Sequence, residues 1–580
     1  MANFQHLRCT TLSNAWRLCL PFWRSDAQRT ALFYFSAALF CVIGGIYTRI
    51  QLNIFNKDFY DALQRFDQPA ITQALFNFVG LVLLLLLFYG YAFYCNGVLS
   101  LRWRQWLTHH YLLRWLKHAS YYRLNFLNIE NLDQRISEDL EQLADITINL
   151  ITLIFSELLS FISFAYILWK LSHEFSVSVF GLHFSGYLLW ATLLYGLFGL
   201  GITYWIGNKL SGLDYQQQQF SAHFRYALIR IREYSEQIAL YGGENLEKIK
   251  LTQAFQCIVS NAFAILELRK RLTFFNNGYN HISLVLGIFL AIPLYLQQKI
   301  ALGVLMQLSA AFSATIASMA VLMESYVLIA QWRAVVSRLT EFEKTIDAVE
   351  AIPSPIKRHS HSSILLRSLN IHLPCGKPLC SFHNLHIPQG STWLITGPAG
   401  SGKSTLLRVL AGIWPYSTGH IYFPKNASTL FLSQKPYLPL GTFRELLYYP
   451  GKINVAEEPV LCDILQCCQL ESFGVYLDEQ RSWSDILSQG EQQRVAFARI
   501  FLNRPDIVFL DEATSALDET SEHWLYTQVR QQLPQSTLIS VGHRQSLLTQ
   551  HEYLLSFTSS KLKINSTAAC LEELRNQYFT

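Results

Sequence analysis

Residues 397–404 read GPAGSGKS, and residues 487–494 read LSQGEQQR. The first stretch fits the phosphate-loop pattern G-x-x-x-x-G-K-[ST], with Gly397, Gly402, Lys403 and Ser404 at its fixed positions. Glycines there let backbone N–H groups close around phosphate oxygens. The lysine reaches the β- and γ-phosphates, and the serine hydroxyl ligates Mg²⁺. The flanks suit such a loop: Trp393-Leu394-Ile395-Thr396 is an apolar, strand-like run, and Thr405 to Leu410 is helical. An α/β domain is predicted, with ATP held by Gly397, Pro398, Ala399, Gly400, Ser401, Gly402, Lys403, Ser404 and Thr405.

The second stretch narrows the class. LSxGE followed by QQR resembles the signature of ABC ATPases, and the rest of that family's set follows in order. The resemblance implies a role for each residue. Asp511 closes the apolar run Ile507-Val508-Phe509-Leu510 and holds Mg²⁺ through water, while Glu512 polarises the attacking water. Ser515-Ala516-Leu517-Asp518 is similar to the D-loop. Gln434, in Leu432-Ser433-Gln434-Lys435-Pro436, is similar to the Q-loop glutamine, which joins Ser404 and Asp511 at Mg²⁺. His543, in Ser540-Val541-Gly542-His543-Arg544, is similar to the switch histidine at the γ-phosphate. Ser488, Gln489 and Gly490 would face ATP in a partner's phosphate loop. Where relatives stack adenine on an aromatic, this chain reads His372-Leu373-Pro374-Cys375, which leaves either His372 or no stacking residue.

Composition sets the first half apart. Of 580 residues, 51% are hydrophobic and 15% charged, against about 25% charged in a soluble protein. Runs free of Asp, Glu, Lys and Arg occupy 31–48, 69–101, 175–208, 272–298 and 300–323, and a sixth, 146–169, is broken only by Glu157. A membrane helix needs about 20 apolar residues. Six spans are predicted, near 30–50, 74–97, 147–169, 178–205, 279–297 and 302–328. No ordinary soluble core helix carries the 33 uncharged residues of 69–101.

Charge asymmetry predicts orientation. The long loops 102–145 and 209–271 hold fifteen Lys and Arg, while the short ones hold Arg49, Lys57, Arg65, Lys170 and Lys299. The positive-inside rule puts the long loops, both termini and the ATPase in the cytoplasm. The first apolar run lacks a small-residue cleavage site, so it reads as a span and not a removed signal. Before it, Trp16, Leu18, Phe22 and Trp23 alternate with Arg17, Arg24 and Arg29, which suits either an interfacial helix or a cytoplasmic tail. The long loops keep helical periodicity, so the spans are expected to continue into the cytoplasm as in exporter-type ABC membrane domains. Each extension would end in a short coupling helix docked on an ATPase.

More of the chain supports a narrower resemblance. The motifs are Phe59-Tyr60-Asp61-Ala62-Leu63-Gln64, Trp103-Arg104-Gln105-Trp106, Tyr121-Tyr122-Arg123-Leu124, Asn131-Leu132-Asp133-Gln134-Arg135 and Phe224-Arg225-Tyr226. Glu236 to Glu244, Trp414-Pro415 and Gln434-Lys435-Pro436-Tyr437 add to them. Together they resemble ABC subfamily D and its bacterial relatives, a group with peroxisomal acyl-CoA and lysosomal cobalamin transporters. The membrane domain is similar to that of permeases taking up peptide antibiotics. Two positions depart: Leu132 replaces a proline, and His223 stands where an acidic residue often precedes Phe-Arg-Tyr.

Four segments result: an N-terminal cytoplasmic segment 1–29, a six-helix membrane domain 30–344, a linker 345–363 rich in Pro, Ser and His, and a nucleotide-binding domain 364–580. The eleven cysteines show no C-x-x-C pair and read as reduced, non-ligand thiols. The net charge of +5 is accounted for by loops beside anionic lipid, with no nucleic-acid partner.

One phosphate loop, one signature and six spans predict a half-transporter working as a dimer. A homodimer is the simpler form; a heterodimer with a related half is the other. The predicted activity is ATP-driven transport, by alternating access, of a bulky or amphipathic solute: cobalamin-like, peptide or acyl-CoA. The alternative is a membrane regulator or ATP-gated channel using the cassette as a switch; intact Glu512 and His543 favour turnover. Import and export both remain open. Glu157, mid-span where a charge is costly, and Glu324 are candidates for the substrate path, with helix bracing as the other role for Glu157 and an inner-vestibule position as the other for Glu324. The expected location is a bacterial inner membrane.

Overall fold

The computed structural model describes residues 2–127, 132–173, 176–179, 182–352, 356–359, 363–453, 458–558 and 561–567. It divides into two units, one of Met1–Leu113 with Glu130–Lys344 and one of Arg114–Ile129 with Thr345–Thr580.

The first unit is helical. Six helices are long and apolar enough to cross a membrane: Gln28–Gln64, Gln68–Leu116, Leu132–Ser172, Tyr187–Glu233, Glu244–Leu296 and one beginning at Leu302. Along Gln68–Leu116, Leu83, Leu86, Leu87 and Phe93 all stay exposed, a surface that suits lipid and not water. Phe164, Leu168, Leu188, Ala291, Leu308 and Phe312 form one buried cluster between helices. Polar contacts fix the pairing. Ser318 Oγ lies 3.0 Å from Ser160 Oγ, and Asn53 Nδ2 donates to the Gln307 carbonyl at 3.1 Å. Tyr195 and Tyr279 stack at 4.4 Å and each hydroxyl donates to the other's carbonyl at 2.9 Å. Beyond the apolar windows, buried Asp139 accepts from Arg135 at 2.9 Å and from Arg338 at 3.0 and 2.5 Å.

The element boundaries differ from expectation in places. The first span continues to Gln64, so Arg49 and Lys57 lie on a helix and not in a loop. Lys and Arg are good helix formers, so charge alone does not end a helix. The apolar run 178–205 is not one helix: Ser176–Val179 pairs with Leu182–Ser185 as a hairpin, and the helix starts at Tyr187. Alternating Ser and Val favour a strand, and Gly186 takes φ +69 at the helix entry, a conformation open to glycine. The N-terminal segment is a helix, Ala2–Trp23. Ala15, Leu18, Cys19 and Phe22 form its buried stripe, with Phe22 stacked on Trp103 at 5.4 Å; Trp16 remains exposed. Leu132 begins a helix that passes through one wide turn, Arg135–Asp139; Asn131 lies outside the described residues.

The second unit is α/β. Strands Thr392–Thr396, Thr537–Val541, Ile507–Asp511 and Thr429–Leu432 run parallel in one sheet, and the antiparallel pair Tyr553–Thr558 and Lys561–Ser566 extends its edge. Ile507, Val508, Phe509 and Leu510 are all buried, as expected of a parallel strand covered on both faces. A second sheet orders Ile356–His359, Ser417–Pro424, Ile364–His372 and Pro378–Ile387. The stretch 345–363 is therefore partly regular: the last membrane helix runs to Glu350, and Ile356–His359 joins a sheet. Arg114 pairs with Asp347 at 2.6 Å and Glu350 at 2.9 Å. The short helix Ser120–Leu124 also belongs to this unit. Its Arg123 donates to the Gly412 carbonyl at 2.8 Å, and Phe126 sits edge-on to Trp414 at 5.1 Å and Tyr416 at 5.9 Å. The docked coupling helix expected from the first long loop corresponds to this segment.

Candidate functional site

The phosphate loop joins strand Thr392–Thr396 to helix Lys403–Leu410. Gly397, Gly400 and Gly402 take φ +153, +77 and +98. A β-carbon on Gly397 would meet Phe557, and one on Gly402 would meet Leu379. Both space and backbone thus require glycine. Pro398, Ala399 and Gly400 form the exposed crest. Lys403 is buried and donates to the Gly397 carbonyl at 2.9 Å and the Pro398 carbonyl at 3.0 Å. Ser404 and Thr405 are half-buried on the first turn. Ser401 Oγ is buried and has no partner among the described residues. A helix N-terminus, left-handed glycines, an ammonium and an orphan hydroxyl make a donor-lined cradle that fits phosphate oxygens.

Asp511 ends the strand Ile507–Asp511, and Glu512 follows it. Ser404 Oγ donates to Asp511 Oδ1 at 2.9 Å. Burial pushes the Asp511 carboxyl up; the Ser404 hydroxyl pulls it down, and Glu512 beside it adds to the rise. A divalent cation would supply the countercharge that this pair of carboxylates calls for. Glu512 holds φ +49, which costs a non-glycine residue about 1–3 kcal/mol. Its amide donates to the Val541 carbonyl at 3.1 Å, and its Oε1 lies 3.5 Å from His543 Nε2. The structure thus brings Ser404 to Asp511 and Glu512 to His543.

The signature begins a separate helix, Gln489–Asn503. Ser488 is its N-cap: Ser488 Oγ accepts from the Glu491 amide at 3.3 Å, and the Ser488 amide donates to Glu491 Oε2 at 2.8 Å. This reciprocal box needs Ser and Glu at that spacing, so SxxE in LSQGE also shapes the helix end. Ser488 and Gln489 are exposed and Gly490 is half-buried. Among the described residues, no hydrogen bond joins them to the phosphate loop. Gln434 is exposed, and its carbonyl accepts from Gln493 Nε2 at 3.1 Å. His372 is fixed through its backbone, donating to the Tyr416 carbonyl at 2.9 Å and accepting from Trp414 Nε1 at 3.0 Å.

Two residues around the site carried no expectation from sequence. Gln493 and Arg544 sit inside quoted motifs, yet their contacts are tertiary. A polar residue on the buried face of the signature helix was the one available signal. In the membrane unit, Glu157 is half-buried with no hydrogen bond or ion pair among the described residues. Glu324 lies on the last span, and its side chain is outside the described residues.

Comparison with known proteins matches this architecture. The family model for ABC transporter transmembrane region 2 matches residues 17–296, and the ABC transporter model matches residues 381–515. The chain is 30% identical to the inner membrane ABC transporter ATP-binding protein YddA of Escherichia coli, across 91% of this chain and 94% of that protein. It is 28% identical to the lysosomal cobalamin transporter ABCD4 of Homo sapiens, across 80% of this chain and 81% of that one. A bacterial Atm1-family ABC exporter, solved with ATP bound, superposes with a TM-score of 0.73 at 18% identity, covering 95% of this chain and 97% of that one. The two halves, the site and these relatives place the chain in the ABC transporter family, as a multi-pass protein of exporter-type fold related to subfamily D.

Proposed function

We propose that the chain is a half-transporter that hydrolyses ATP as a dimer to move a bulky or amphipathic solute across a membrane. The carrying observation is the convergence of Ser404 with Asp511, and of Glu512 with His543, beside the glycine cradle. Lys403 and the loop amides from Gly397 to Thr405 hold the phosphates. Ser404, Asp511 and Gln434 hold Mg²⁺, which neutralises phosphate charge when bound. Glu512 orients the water and His543 contacts the γ-phosphate. The exposed Ser488, Gln489 and Gly490 reach the partner's nucleotide.

A second copy is supported by the helical hairpin of Leu210–Glu233 and Glu244–Leu296. It leaves Tyr226, Leu240, Tyr241 and Phe255 exposed outside the apolar span, and such a surface suits protein burial. The exact match of the two half-sites in a homodimer makes it the simpler assembly. Loop charge supports a cytoplasmic cassette and termini, and the inner-membrane relative YddA supports a bacterial inner membrane. The segments 1–29, 30–344, 345–363 and 364–580 serve as interfacial helix, pathway, linker and motor. Cobalamin-like molecules, peptides and acyl-CoA are the solute classes in view, with Glu157 and Glu324 on the pathway.

Glu512→Gln tests the chemistry. The amide keeps the shape and cannot polarise water, so turnover is expected to fall by about 10²–10⁴ while ATP still binds. Hydrolysis by purified Glu512→Gln at the wild-type rate would falsify the assignment. Solute flux measured with hydrolysis in proteoliposomes separates pumping from gating.

A further inference from the structure

We propose that Gln493 is a positioning residue for hydrolysis, tying the D-loop and the Glu512 turn to the signature helix and the Q-loop. It lies on helix Gln489–Asn503 and is 3% exposed. Both ends of its amide are engaged. Nε2 donates to the Gln434 carbonyl and to Ser515 Oγ, each at 3.1 Å. Oε1 accepts from the Ala516 amide at 2.9 Å. Leu at this position keeps the bulk but breaks all three bonds at once, freeing the Ala516 amide, the Ser515 hydroxyl and the Gln434 carbonyl from the helix.

Arg544 grips the same loop from the switch side. Its Nη1 donates to the Leu517 carbonyl at 2.8 Å and its Nη2 to the Ser515 carbonyl at 3.2 Å. The gripped loop leads straight to Glu512, because the Ser515 amide donates to the Glu512 carbonyl at 3.1 Å and the Leu517 amide to the Thr514 carbonyl at 3.0 Å. Glu512 sits in a left-handed conformation, which persists only where its surroundings hold it. Gln493 and Arg544 are the side chains that hold the far end of that turn. Ser488 caps the same rigid helix, so a displacement of the signature end is carried to the D-loop of its own chain. Gln493 and Arg544 touch neither nucleotide nor water in this scheme; they act through Glu512. The inference rests on Glu512 being the carboxylate that orients water.

The experiment uses the full chain in lipid nanodiscs, with ATP turnover measured across ATP concentrations. Gln493→Leu is expected to lower kcat about tenfold or more, since small misplacements at a reacting centre are costly, while KM for ATP stays within about threefold. Gln493→Glu keeps an acceptor for the Ala516 amide and is expected to retain more kcat than Leu. A space-filling role predicts the reverse order, since Leu fills the site and a buried carboxylate does not. Arg544→Met, at a part-exposed side chain, is expected to repeat the kcat loss, and it decides the matter should Gln493→Leu fail to fold. Wild-type kcat in Gln493→Leu, or a raised KM with unchanged kcat in either variant, overturns the proposal. If Glu512→Gln is inactive in the same assay, that result removes only the role of Gln493. An active Glu512→Gln removes the underlying reading instead.

Discussion

His551 offers a quantitative test of how the cassette behind strand Thr537–Val541 is held. It is 4% exposed, with Nδ1 2.8 Å from the Leu547 carbonyl and Nε2 2.8 Å from Ser540 Oγ. Tyr526 hydroxyl lies 3.3 Å from the same Ser540 oxygen. One neutral tautomer satisfies the chain: Nδ1–H donates to the carbonyl, and Nε2 accepts from Ser540, which accepts from Tyr526. Burial lowers the His551 pKa from 6.5 to about 4; the Leu547 carbonyl opposes this and Arg530 adds to it. The unfolded chain therefore binds the proton more readily than the fold does. Stability from this group is complete above the unfolded pKa and is lost as pH falls from 6.5 towards about 4. Linkage over that interval gives a loss of about 2 kcal/mol on going from about pH 7.5 to about pH 5. For a cassette of this size that corresponds to about 4–8 °C in Tm. Calorimetry would follow the cassette transition in wild type and in His551→Gln at both pH values. Carboxylates titrate in both proteins, so the difference in slope isolates His551. Equal slopes in the two proteins would refute the account.

Three further expectations use other parts of the molecule. Phe126→Ala removes ring contacts to Trp414 and Tyr416 worth about 0.5–1.5 kcal/mol beyond their burial; transport per ATP should fall with basal hydrolysis retained, and unchanged stoichiometry would count against docking through this ring. Mixing Lys403→Ala and Ser488→Arg chains should leave each mixed dimer with one working site, and full turnover by a strictly monomeric preparation would exclude the shared site. Glu157→Gln should reduce solute flux more than hydrolysis, and equal flux, normalised to protein and ATPase rate, would leave Glu157 as a packing residue.

The site was legible because its geometry is written in short order. Phosphate-loop glycines are required by φ angles and by the approach of Phe557 and Leu379, so the sequence has to state them. SxxE at the signature encodes its own cap. The spans were legible from charge-free runs, but their ends were not. Hydropathy cannot tell that Ser176–Val179 pairs with Leu182–Ser185, nor that a helix continues past Arg49 to Gln64. The stretch after Lys344 keeps helix until Glu350 because its breakers, Pro353 and Pro355, come later. Gln493 and Arg544 stayed hidden because their partners lie on loops that only the folded sheet brings together.

One short helix links the segment Ser120–Leu124 to the glycine cradle within the second unit. Helix Lys403–Leu410 starts at the glycine cradle and ends beside Gly412, whose amide donates to the Val409 carbonyl at 2.9 Å. The carbonyl of that same Gly412 accepts from Arg123 of the docked segment at 2.8 Å. Eight helical residues span about 12 Å, with no hinge between the two contacts. A shift imposed on Gly412 by Ser120–Leu124 must therefore move Lys403 and Ser404, or be absorbed by the αL glycine at Gly402. Because Ser404 is bonded to Asp511 and Asp511 precedes Glu512, the cradle end of the helix and these two carboxylates move as neighbours. Ser120–Leu124 thus meets the end of helix Lys403–Leu410 away from the glycine cradle, while Gln493 and Arg544 meet the loop beyond Glu512.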